Sequence, residues 1–330
     1  MTIYIPIRGP ELVKYGYEEL EGEYSRFLSD FGEFKNTEDL RKLIDDEGKH
    51  QNFEGITFSI IYSSKTTNEE IEEITSISSE YSFFRVDFIG EFLKIELDLV
   101  DWKDEENQFT EIISNGLITK LALLINLTYS TKIDFLAGII FSKARKYIGK
   151  TKVLLSTLDY SYEHAKRIRW PVIKSLELND TLSWFISNGL HTNDSSKNKL
   201  HRAINAFSYQ FSNLHEKDTS KLFWTMVGIE ALLAEGVNNV MGQIKSKSSI
   251  ILGQPVEYKK KLDKLYNYRS RFVHGDIDFP AKFSSDYDNF ESEYWDYLHF
   301  ANSILLALIR TLVVMKKDAF EFEYRMKGFN

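Results

Sequence analysis

The sequence predicts an α+β amino-terminal domain followed by an all-α carboxy-terminal helical bundle. Two patterns predict it. Before residue 100, β-branched and aromatic residues come in short runs with strand-like alternation, and beyond Ser196 apolar positions recur every three or four residues. The polar, turn-rich Gly189-Leu-His-Thr-Asn-Asp-Ser-Ser-Lys197 marks where one pattern gives way to the other. The expected organisation is an α+β domain over 1–155, suited to sensing or positioning a substrate, a connecting segment over 156–195, and a helical domain over 196–330.

Composition sets outer bounds. A chain of 330 residues that is 43% hydrophobic and 14% aromatic can fill two packed cores. The absence of Cys removes disulfides, thiolate metal sites and a Cys nucleophile, and it fits a reducing compartment. Met-Thr-Ile-Tyr-Ile-Pro-Ile-Arg-Gly-Pro is not a basic region followed by a long apolar core, so a cytoplasmic location is expected. The run Ile304 to Met315, interrupted by Arg310, reads as too short to span a bilayer, so no membrane association is expected.

Taken in order, Phe53 to Tyr62 and Phe83 to Leu99 read as strands. In the second, Ile95, Leu97 and Leu99 alternate with Glu96 and Asp98, the period of a half-buried strand. Thr67-Asn-Glu-Glu-Ile-Glu-Glu-Ile offers a cap, an acidic first turn and helical spacing, and Phe109 to Leu127 reads as a buried helix. Glu69, Glu70, Glu72 and Glu73 suit an acidic first helical turn better than a metal site. Walker, G-x-G-x-x-G, H-E-x-x-H and G-x-S-x-G motifs are absent, which leaves P-loop, zinc-protease and α/β-hydrolase chemistry without support. In the connecting segment, Lys166, Arg167, Arg169 and Trp170 are suited to phosphate pairing and base stacking, although Trp170 more readily packs at the join.

Helices are then expected over Lys197 to Leu214, Ser220 to Ala234, the basic segment beginning at Tyr258, and Tyr287 to Met315. In the last, Tyr287, Phe290, Tyr294, Leu298, Ala301, Leu305, Leu308, Leu312 and Met315 form one seam for the bundle. The basic segment carries four Lys and two Arg from Lys259 to Arg271 against Asp263 alone, in a chain of net charge −8. Gly275 ends it by taking the left-handed conformation, which puts His274 in the last turn at the negative end of the helix dipole. A Lys-rich flank with Lys259, Lys260, Lys261 and Lys264 would draw a polyanion to Arg269 and His274. Asp286, Asp288, Glu291, Glu293 and Asp296 form an acidic run that either neutralises the basic helix internally or covers it.

Arg269-Ser-Arg-Phe-Val-His274 matches the R-x4–6-H signature, and Trp224 to Glu230 lies on an upstream helix in Leu-Phe-Trp-Thr-Met-Val-Gly-Ile-Glu. With the long last helix, this order resembles the ApeA-like branch of the HEPN superfamily over the last third to two-fifths of the chain. The resemblance implies a metal-independent endoribonuclease acting on RNA such as tRNA in anti-phage defence, with Arg269 and His274 catalytic and no cofactor. It also implies a homodimer whose two basic helices build one composite cleft. That arrangement answers a geometric difficulty, because residues five apart stand about 140° apart on a straight helix.

In the chemistry so implied, His274 exchanges a proton with the ribose 2′-OH or the 5′ leaving oxygen, and Arg269 steadies charge on the phosphorane. The products are a 2′,3′-cyclic phosphate and a 5′-OH. Glu230, as a partner for the Arg269 guanidinium, and Tyr266, Asn267 and Arg271 are supporting candidates. Two other readings stand beside this one: a non-catalytic HEPN module that binds a nucleotide or partner and dimerises, and a toxin held by an antitoxin. A phage-derived trigger is a further expected partner.

Overall fold

Strand β1 (Thr2–Arg8) places Ile3, Ile5 and Ile7 on one face, and all three are fully buried, so the chain starts inside its own core. The computed structural model describes residues 1–9, 18–33, 38–45, 53–62, 91–99, 107–144, 146–151, 155–192, 195–211, 219–236, 238–255, 259–278 and 291–323. Strands β2 (Phe53–Tyr62) and β3 (Glu91–Leu99) pair antiparallel with Tyr62 opposite Glu91, and β1 pairs antiparallel with β3, Thr2 opposite Glu96. Along β3, Ile95 and Leu97 are buried while Glu96 and Asp98 are exposed, the alternation the sequence predicted. The short strands β4 (Asp134–Phe135), β5 (Ile139–Phe141), β6 (Tyr147–Lys150) and β7 (Leu155–Ser156) extend this antiparallel sheet, β4 and β5 pairing with β1.

Helices α1 (Glu18–Glu33) and α2 (Glu38–Asp45) pack on β2, with Phe31 edge-on to Phe58 at 5.8 Å. The expected buried helix is α3 (Asn107–Thr128), buried along nearly all its length from Leu117 onward. Arg26 lies over the Tyr129 ring at 4.8 Å and donates to the Leu176 carbonyl at 2.7 Å, while the Tyr129 hydroxyl donates to Asp30 at 2.7 Å. The proposed helix at Thr67 and its Glu69, Glu70, Glu72 and Glu73 lie outside the described residues, as do residues 83–90 of the expected second strand.

The connecting segment is more structured than its polar composition suggested. It holds α4 (Asp159–Ile168) and α5 (Leu178–Ser187), the latter burying Leu182, Trp184 and Phe185. The chain divides into two units, one comprising 1–162, 175–193 and 211–217, the other 163–174, 194–210 and 218–330.

The second unit is helical: α6 (Lys199–Ser208), α7 (Lys221–Leu233), α8 (Val240–Leu252), α9 (Lys259–His274) and α10 (Glu291–Met315). Helix α6 ends earlier than expected, its chain continuing as a 3-10 turn over Tyr209–Phe211, and α8 was not foreseen. Every residue from Phe300 to Val313 of α10 is buried, so this helix is the post around which the unit is built. The apolar stretch near the end of the chain is longer than the run from Ile304 to Met315. It belongs to a window, Ser292–Met315, of mean hydropathy 1.8, long and apolar enough to cross a membrane, but 83% of that window is buried within the protein.

Helix α7 comes close to α10 at Gly228, where a Cβ would lie 2.8 Å from Leu305 Cδ2 and 3.5 Å from the Ala203 carbonyl oxygen. Thr225 Oγ1 donates to Asn302 Oδ1 at 2.7 Å across the same contact, and both side chains are buried. A branched side chain at 228 has to displace the buried Leu305. Gly228→Val should therefore lower stability by about 1–3 kcal/mol, the usual cost of overpacking. A urea midpoint equal to that of the wild type would contradict this close fit.

Candidate functional site

The basic helix divides its side chains by face. Leu262, Leu265 and Tyr268 are buried, and Tyr268 meets Tyr297 of α10 with ring centroids 4.8 Å apart. Burial pushes the Tyr268 hydroxyl up to about 12, with the negative charge of Glu293 adding to the effect. The helix ends as its glycine predicted. Gly275 has φ +81°, its N–H donates to the Phe272 carbonyl at 3.3 Å, and the Asp276 N–H donates to the Arg271 carbonyl at 2.8 Å. His274, the last residue of α9, is exposed there.

Arg269 points the other way. Its Nη2 lies 3.6 Å from Glu230 Oε1 on α7, with side-chain exposures of only 21% and 25%. Burial raises the Glu230 carboxyl above its ordinary range, and the adjacent Arg269 charge offsets part of that rise. The pair is incompletely satisfied: Arg269 Nε and Glu230 Oε1 are both buried without a hydrogen-bond partner among the described residues. Tyr266 belongs to the same pocket of charge, its hydroxyl raised by burial first and then by Glu230. The expected Glu230–Arg269 contact is thus present. Arg269 and His274 do not face one another along a single helix, as the angular argument anticipated.

The other nominated residues separate in the same way. Lys260, Lys264, Asn267 and Arg271 are exposed, and the side chain of Lys259 lies outside the described residues. Lys261 is turned inward, with Nζ 2.8 Å from Asp296 Oδ2 and 2.9 Å from His164 Nε2. So one member of the acidic run, Asp296, does neutralise part of the basic helix internally. Glu293 forms no ion pair among the described residues, while the side chain of Glu291 and all of Asp286 and Asp288 lie outside them. Trp224 stacks on Tyr209 with centroids 4.4 Å apart and planes 9° apart. Trp170 is buried, 5.9 Å from the Phe300 ring, and its Nε1 donates to the Gly253 carbonyl at 3.1 Å, so it packs rather than offering a free face.

Sequence reasoning missed the group around Asp296. His164 of α4 is buried against Phe300, with its Nε2 3.1 Å from Asp296 Oδ1 as well as within reach of Lys261. For a neutral ring the two contacts are alternatives: Lys261 donates to Nε2 only when the ring proton is on Nδ1, and Asp296 accepts from it only in the other tautomer. Burial, and then the Lys261 ammonium, bring the His164 pKa down to about 4. His299, stacked on Trp295 at 5.8 Å, is brought down to about 4 by burial and by His164. Partial burial works to raise the Asp296 pKa, but the hydrogen bond and charge of Lys261, with His164, outweigh it and hold the carboxylate below its usual range. No local signal announces such a group, because its members come from three helices spread over residues 164–299.

Comparison with protein-family models, with curated proteins and with solved structures finds no match to this chain.

Both imidazoles, the buried His164 and the half-buried His299, bind protons less tightly in the folded protein than in the unfolded chain, where the ordinary value is 6.5. Stability present above pH 6.5 is therefore lost progressively as the pH falls toward about 4. A His164→Phe variant should lose less stability than the wild type over that interval, as measured by urea unfolding at several pH values. Parallel declines in the two proteins would show that His164 carries none of the effect.

Proposed function

We propose that this chain is a metal-independent endoribonuclease of HEPN type. It cleaves RNA such as tRNA through 2′-OH attack, leaving a 2′,3′-cyclic phosphate and a 5′-OH, and its biological setting is anti-phage defence. The observation that carries the reading is the state of the two motif residues. Arg269 is a semi-buried guanidinium whose Nε lacks an acceptor among the described residues, and His274 is an exposed imidazole at the end of the same cationic helix. Arg269 keeps about a fifth of its side chain in solvent, and a substrate phosphate oxygen is a good acceptor for a guanidinium. An exposed imidazole, which can both take and give a proton through its ring nitrogens, is the side chain best suited to exchange a proton with a ribose hydroxyl.

The reading rests on the R-x4–6-H motif and the helix order, and it requires a homodimer in which one protomer supplies His274 and its partner the guanidinium. In that role Glu230 holds Arg269 in orientation, which is positioning rather than chemistry. The amino-terminal unit then senses infection or presents the substrate. A second reading, a binding module without catalysis, is favoured by one observation: Arg269 faces Glu230 while His274 faces outward.

Purified protein incubated with a panel of structured RNAs in EDTA tests the proposal. Cleavage should persist in the chelator and leave cyclic phosphate ends. It should fall by about 10²–10⁴-fold in His274→Ala, the range for loss of a general acid or base, and by about 10²–10³-fold in Arg269→Ala, the range for loss of a charge-stabilising donor. Strict dependence on added metal, or cleavage undiminished in His274→Ala, would overturn it.

A further inference from the structure

Resting on the nuclease reading, we infer that α9 seats a single RNA strand along one exposed row, Lys260, Lys264, Asn267, Arg271 and His274, with Arg271 gripping the phosphate beside His274. The row follows from spacing. Its members are four, three, four and three residues apart, so at 3.6 residues per turn they fall within an arc of about 80°. All five are exposed. On the same count Arg269 stands half a turn from Lys260, within the face that buries Leu262, Leu265 and Tyr268. The guanidinium that shares a face with His274 in one chain is therefore that of Arg271, one turn away.

The cations of this row are uncommitted in a way their neighbours are not. Lys245 is paired with Asp263 at 2.6 Å, Lys247 with Glu235 at 3.2 Å and Lys261 with Asp296 at 2.8 Å. Among the described residues no carboxylate lies within ion-pair reach of Lys260, Lys264 or Arg271. The Arg271 Nη2 only folds back to the Asp276 carbonyl at 3.4 Å, a long contact that leaves its other N–H groups open. In a chain of net charge −8 this row offers a polyanion a concentrated positive line. Asp276 and Asp278, exposed just past the helix, are repulsive and end the line at His274.

The dimensions suit one strand. From Lys260 to His274 is about 21 Å at 1.5 Å per residue, room for at most about six nucleotides at 3.4 Å or more each. Cations in single file on a convex helix can follow the phosphates of one strand, and Asn267 at the centre can donate to a sugar or a base.

Binding and cleavage measured separately test the row. A fluorescein-labelled single-stranded RNA of about 15 nucleotides, within the usual site sizes for such strands, is titrated by anisotropy in EDTA over a range of salt. Cleavage is followed by end-group analysis. Lys260→Glu with Lys264→Glu should weaken binding at least tenfold and reduce the slope of log K against log salt by about 1.4, the share of two phosphates on a single strand. Arg271→Ala should lower cleavage even at saturating RNA. Exchanging exposed cations elsewhere in the unit, Lys174→Glu with Arg202→Glu, should change neither. If the wild type cuts RNA but the double exchange on α9 binds and cuts normally, the row is wrong and the nuclease reading survives. Row-dependent binding with no cleavage upholds the row and removes the nuclease reading. A wild type that does not bind the RNA overturns the row.

Discussion

A helix can bury only one side, and α9 has strongly basic chemistry on both. Its inner face is made acceptable to the protein interior by carboxylates. Asp296 receives Lys261 at 2.8 Å and Glu230 stands 3.6 Å from Arg269, on either side of the buried Leu262, Leu265 and Tyr268. Removing charge from water is costly unless it is paired, so these two acids decide which cations of α9 can point inward. What remains, Lys260, Lys264, Arg271 and His274, is left in solvent on one line. The surface chemistry of the helix is thus a consequence of how its interior is neutralised.

That interior depends in turn on α10. Its residues from Phe300 to Val313 are all buried, and α7 is drawn close enough by Gly228 to bring Thr225 against Asn302. The same α7 carries Glu230, and the same α10 carries Asp296. A shift in either helix would move a counter-charge, so packing and electrostatics in this unit are coupled. The His164 group joins a third helix, α4, to the pair, and its depressed imidazoles bind it most firmly near neutral pH.

Strongly periodic elements were legible in the sequence. The alternation of Ile95, Glu96, Leu97 and Asp98, the buried helix after Phe109, the long seam of the last helix and the glycine stop after His274 all depend on neighbours a few residues away. Helix α8 was not legible, because Lys245-Ser-Lys-Ser-Ser249 has little helical preference of its own. There the helix is held from outside, by Lys247 on Glu235 and over the Phe322 ring at 4.7 Å. Helices α4 and α5 were hidden by the polar, Pro-containing composition of their segment. At the candidate site the motif residues and the Glu230 partner were legible. The division of faces was only partly so, since Lys261 and Lys264 look alike in a basic run, and only packing shows that one reaches Asp296 while the other meets water. His164 escaped altogether because its partners lie about a hundred residues or more away.

We propose that the solvent side of α9, ending at His274, is where a nucleic acid strand meets this protein. Imidazole proton resonances report it most directly, during titration with a 2′-O-methyl RNA strand that cannot be cut. The seven histidines of the chain should respond unequally: the signal that disappears in His274→Ala should shift on binding, while those of the buried His164 and the half-buried His299 stay fixed. An unmoved His274 signal with the strand demonstrably bound would contradict the account.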